Sequence, residues 1–205
     1  MSRRRAILIG AVLVIAVVVA VGLYLRFLRL PEGYVDPDTI PRGEIEAKAG
    51  AFRALANRLT SHVLSNEPFD VTFPEDAVNA YITHILARTG RAWYDEMDIP
   101  DEVEHVQVRF QPRAVVLFGR LDRGWATCVA SVRVRVSIND EGNLEARVAS
   151  VRAGRLPMPK AFAQRFVRAA GGKPFVVRLS GNRRARLTEV HLESGAIRLV
   201  GRSPN

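Results

Sequence analysis

Side chains capable of acid–base, metal or nucleophilic chemistry are scattered thinly along these 205 residues. His62, His84, His105 and His191 stand far apart and lack the paired spacing a metal site needs; no HExxH, CxxC or clustered carboxylate motif is present. No metal and no cofactor is therefore expected. No G-x-S-x-G elbow, Walker loop or dinucleotide fingerprint occurs. Gly171-Gly172-Lys173 follows a predicted helix, where glycine serves as a stop rather than a phosphate loop. Asp95/Glu96/Asp98 and Asp101/Glu102/Glu104 flank Pro100 in a turn, where solvated charge is their ordinary role. The single Cys128 stands in the alternating run Ala126, Cys128, Ala130, Val132, and reads as a small buried apolar residue. No catalytic residue is assigned, and the chain is not expected to be an enzyme.

Recognition chemistry is better represented. Arg183, Arg184 and Arg186 follow the turn-like Ser180-Gly181-Asn182, and guanidinium groups on an exposed turn suit bidentate contact with phosphate or carboxylate. Trp93, Trp125, Met158 and Phe162 are candidates to line an apolar-ligand groove, with plain core or rim positions as the alternative. The net charge of +9 is unevenly spread: residues 1–29 hold five arginines and no acid, residues 30–151 are net −6, and residues 152–205 are net +10. That basic last third can dock an anionic partner or remain a solvated face.

The elements that would position these groups begin with an uncharged run from Ala6 to Leu25, preceded by Arg3, Arg4 and Arg5. A helix of that length covers about 30 Å, the thickness of a bilayer's hydrocarbon core. The flanking arginines predict a single-pass, uncleaved signal-anchor of the bacterial inner (cytoplasmic) membrane, with the amino terminus inside and the rest in the cell envelope. The expected division is a cytoplasmic tail over 1–5, a transmembrane helix over 6–25, a proline-bearing spacer over 26–43 and one extracytoplasmic α+β domain over 44–205. This topology removes nucleic acid as a partner. No small-xxx-small pair in the apolar run signals self-association, so oligomeric state stays open.

Within the domain, Ile45, Ala49, Phe52, Leu55, Ala56, Leu59 and Val63 follow helical spacing. Phe69, Val71 and Phe73 alternate as a strand, and Pro74-Glu75-Asp76 opens a second helix that Gly90 ends. From Val103 the period falls to two. Runs over 103–110, 115–118 and 125–138 form an antiparallel meander, with Arg133 and Arg135 opposite Val132, Val134 and Val136. Asp140-Glu141-Gly142-Asn143 turns the chain into a returning strand. A further short helix around Phe162 and Phe166 and a last hairpin about Glu193-Ser194-Gly195 complete the chain. The predicted architecture is α+β: an N-terminal transmembrane helix, two helices, one long curved antiparallel sheet and one more short helix.

The stretch Val71-Thr72-Phe73-Pro74-Glu75-Asp76-Ala77-Val78-Asn79-Ala80-Tyr81-Ile82, with the later Gly154-Arg155-Leu156-Pro157-Met158-Pro159, resembles the YpmS-like group of membrane-anchored extracytoplasmic proteins. The group's phrase has threonine where Pro74 stands here. The likeness implies architecture and a possible kinship to lipid-cradling envelope folds, not an activity. Two functions follow as expectations. The first is a membrane-anchored envelope domain binding a lipid or other apolar ligand. The second is a non-enzymatic scaffold that docks an envelope protein partner through its basic carboxy-terminal third.

Overall fold

The structure, a computed structural model, describes residues 3–90, 103–122, 127–158, 175–177 and 186–202, without the side chains of 3–15 and 175–177. Its helices are α1 (Arg3–Leu28), α2 (Arg42–Leu64) and α3 (Glu75–Thr89). Its strands are β1 (Phe69–Pro74), β2 (Val103–Gln111), β3 (Ala114–Asp122), β4 (Thr127–Ile138), β5 (Leu144–Ala153), β6 (Leu156–Pro157), β7 (Phe175–Val177), β8 (Arg186–Glu193) and β9 (Ala196–Arg202).

The strands form two antiparallel sheets, not the single long one that alternation alone suggests. The larger runs β2-β3-β4-β5-β6 with β7 also on β5; the smaller runs β1-β9-β8. Separation arises because β1 pairs with β9, from Phe69 opposite Gly201 to Pro74 opposite Ala196. Local alternation carries no record of so distant a partner. The extra short helix expected around Phe162 lies outside the described residues.

A second correction concerns the amino-terminal helix. Among the described residues no helix is long and apolar enough to cross a membrane. Helix α1 runs from Arg3 to Leu28 and carries Arg26 in its last turn. Its last turn also meets protein: Arg155 N donates to the Arg26 carbonyl at 3.0 Å. Gly154, at φ +57°, lies where an added β-carbon would fall 2.1 Å from the Phe27 carbonyl oxygen. The single-pass signal-anchor, the extracytoplasmic cell-envelope placement and the inner-membrane location that depended on it are set aside.

The core lies between the small sheet and α2. Phe69, Val71 and Phe73 face inward on alternate positions of β1 and meet Leu59 and Val63 of α2 and Leu187 and Leu199 of the β8–β9 hairpin. Burial of side chains of this size is worth about 1.5–3 kcal/mol each. Phe52 ties α2 to α3 by stacking on Tyr81, with ring centroids 4.4 Å apart.

Helix α3 then guards the free edge of the large sheet. Asn79 Nδ2 donates to the Val108 carbonyl at 2.8 Å, and Val108 N–H donates to Asn79 Oδ1 at 2.7 Å. One turn earlier, Glu75 accepts from the Phe110 N–H at 2.6 Å. Two side chains one helical turn apart thus satisfy backbone groups two residues apart on β2, replacing a missing strand. Asn79 has a structural task at this edge.

Candidate functional site: an arginine-lined trough

The outer face of the large sheet is built by strict alternation along β4 and by one irregularity in β5. On β4, Ser131, Arg133 and Arg135 share a face, opposite Val132, Val134 and Val136. Across β5, Arg152 faces Ser131, Ser150 faces Arg133 and Arg147 faces Arg135. Arg147 and Ser150 are three apart and would fall on opposite faces of a regular strand. A bulge after the Arg133–Ser150 pair absorbs Ala149, so both remain outside.

Two hollows indent this face. One, of about 310 Å³, is lined by Gln111, Ser131, Arg133, Ser150, Arg152 and Arg155 over a floor that includes Phe118. The other, of about 1110 Å³, is lined by Arg113, Arg133, Arg135, Ser137, Arg147 and Ser150. Arg133 and Ser150 belong to both, so the hollows form one trough along β4 and β5. Glu32, Asp140 and Glu145 are the acids on its walls.

The trough is closed at one end by the segment after α1. Tyr34 packs edge-on against Phe118 at 6.1 Å. The Gln107 amide clasps the Val35 backbone, accepting its N–H at 3.2 Å and donating to its carbonyl. Gly33 has φ +86°, a backbone conformation that favours glycine, and the Arg109 guanidinium fills the place its β-carbon would take. Arg155 Nε donates to the Leu30 carbonyl at 3.3 Å. Arg120 faces Glu104 at 3.5 Å and Asp38 at 3.9 Å. Burial, followed by the nearby Asp36 carboxylate, pushes the Tyr34 phenol above its ordinary value, so it stays protonated.

Inside the trough, charge is poorly balanced. Arg147 reaches Glu145 at 2.5 Å, whereas the side chains of Arg113, Arg133, Arg135 and Arg152 make no hydrogen bond or ion pair among the described residues. Arg135 and Arg147 are directly opposed, with Cα atoms about 5 Å apart, a like-charge pairing that weakens a sheet. Arg113 stands at the mouth, in the two-residue turn between β2 and β3, at φ +66°. A non-glycine residue there costs roughly 1–2 kcal/mol.

Of the residues singled out from sequence, the two described ones, Met158 and Arg186, are not among those lining the trough. Trp93, Trp125, Phe162, Arg183 and Arg184 fall outside the described residues. Met158 is half-buried, its N–H donating to the Val151 carbonyl at 2.9 Å near one end of β5. Arg186 starts β8 and packs on Gly142, at the other end of β5. Those two are not brought together. Arg113, Arg147, Arg152 and Arg155 were not singled out; alternation already placed Arg133 and Arg135 on one face, but not the bulge that aligns their partners. Among the described residues, no three His, Cys, Asp or Glu side chains are grouped to hold a metal ion. Cys128 is buried.

No protein-family model, curated protein or solved structure matches the chain. The functional reading rests on geometry.

Proposed function

We propose that this chain is a binding domain that takes an extended anionic ligand along the β4–β5 trough. The observation that carries the reading is a line of arginines along the trough, in which the side chains of Arg113, Arg133, Arg135 and Arg152 have no partner among the described residues and Arg135 is set against Arg147 across the strands. An anion bridging Arg135 and Arg147 turns a repulsive pair into two charge-assisted bonds, and the fork of each guanidinium matches carboxylate or phosphate. Arginine rather than lysine supports bidentate recognition, although the whole chain favours arginine. Of the two sequence expectations this follows docking, moved from the 183–186 turn to the sheet, with Arg152 and Arg155 supplied by the basic last third.

The test is a titration of the full chain with a polyanion of defined length at low and at physiological salt. Binding is expected to weaken steeply as salt rises. The double substitution Arg133→Glu, Arg135→Glu should lower affinity by at least a hundredfold, since each bond to a charged group contributes about 1.5–3 kcal/mol. Both side chains are exposed, so the melting temperature should hardly move. Unchanged affinity in that variant contradicts the reading.

A further inference from the structure

We propose that the occupant of the trough is an acidic polysaccharide, a chain of sugars bearing carboxylates and free hydroxyls. The assignment rests on the trough reading and adds the ligand's chemistry. Across β4 and β5 the pairs on the trough face run Ser131, at the floor of the smaller hollow and 7% exposed, with Arg152, then Arg133 with Ser150, Arg135 with Arg147 and Ser137 with Glu145. Successive rows are about 7 Å apart. In the first two rows each guanidinium faces a hydroxyl, and the arginine changes sides between them. A guanidinium only donates, whereas a serine hydroxyl also accepts. A ligand bearing nothing but anionic oxygens leaves that accepting capacity idle. A sugar chain offers a carboxylate to the arginine and hydroxyl donors to the serine in the same row. Gln111, on the wall beside Ser131, adds a carbonyl that accepts and an amide that donates.

Two other polyanions fit less well. Single-stranded nucleic acid is held by aromatic faces on which bases stack. The rings described at the trough are Phe118, only 3% exposed, and Tyr34, which packs edge-on against it, so neither offers a free face. An acidic peptide that docks by strand addition needs a free strand edge for its main chain, and one held only through its carboxylates by an arginine cluster leaves the serine hydroxyls idle. Here β4 is paired on both sides, by β3 and β5, and β5 is paired in turn with β4, β6 and β7.

The test compares three labelled probes of equal charge against the full chain at low salt: decagalacturonate, oligothymidylate and oligoglutamate. Decagalacturonate is expected to bind about tenfold tighter than either other probe. The double substitution Ser131→Ala, Ser150→Ala should weaken decagalacturonate about tenfold, the equivalent of two lost hydrogen bonds, and leave the other probes unchanged. Equal or tighter binding of oligothymidylate or oligoglutamate, lost on Arg133→Glu, overturns the polysaccharide assignment and leaves the trough reading standing. No binding of any probe overturns both.

Discussion

Arg113 holds a left-handed backbone conformation where glycine would sit without strain, at the mouth of the trough. If its guanidinium is there for a ligand, stability and binding should respond in opposite directions. Arg113→Gly should stabilise the free chain by about 0.5–1 kcal/mol, because relief of the backbone strain outweighs glycine's greater entropy in the unfolded chain. The same change should weaken polyanion binding by roughly tenfold. Thermal melting and titration on one preparation check both signs; a variant that is less stable, or binds as well, argues against the assignment. At this scale the sequence was partly legible. Cys128, Arg133 and Arg135 lie on the faces their alternation predicts, inward for the cysteine and outward for the arginines. Arg147 was not readable, since its face depends on a bulge that shows only once β5 is laid against β4. The backbone that Asn79 meets belongs to a strand 29 residues away, a partner that local spacing does not show.

Elements are held to one another by polar clips as well as by core. On the outside of the small sheet Arg198 of β9 grips Asp70 of β1, with Nε 2.7 Å from Oδ1. The hydrogen bond from Arg198, more than its charge, holds the Asp70 carboxyl below its usual value. A carboxylate whose folded-state pKa is depressed adds stability that is fully present above the ordinary aspartate pKa, near 4, and is lost as pH falls through the lower folded value. Asp76 behaves alike, held down by Lys48 between α2 and α3. The melting-temperature gap between the native chain and Asp70→Asn should therefore be widest at neutral pH and close below about pH 4. An equal gap at pH 3 and pH 7 contradicts this account. Helix and strand identities were readable because period and capping are local: Pro74-Glu75-Asp76 opens α3, and Gly90 caps it at φ +56°. The pairing of β1 with β9 was not, because closing so long a loop leaves no local mark.

Over the whole molecule, two sheets divide the labour. The small sheet and α2 build one buried cluster, whereas the large sheet buries residues such as Phe110, Val129 and Val151, turns a charged face outward and receives the end of α1 and residues 31–39 as a cover at one end. The reading of Ala6–Leu25 as a membrane anchor is set aside at this scale, because among the described residues no helix is long and apolar enough to cross a membrane. The outward face carries more guanidinium than carboxylate, and the proposed anionic ligand would supply the difference. The most direct measurement is a backbone amide chemical-shift map of the isotopically labelled full chain titrated with decagalacturonate. The account predicts that the largest shifts fall on residues 131–135 and 147–152 of β4 and β5, with smaller ones at Arg113. Shifts centred on the outer face of the small sheet or on residues 183–186, with β4 and β5 unmoved, would contradict it.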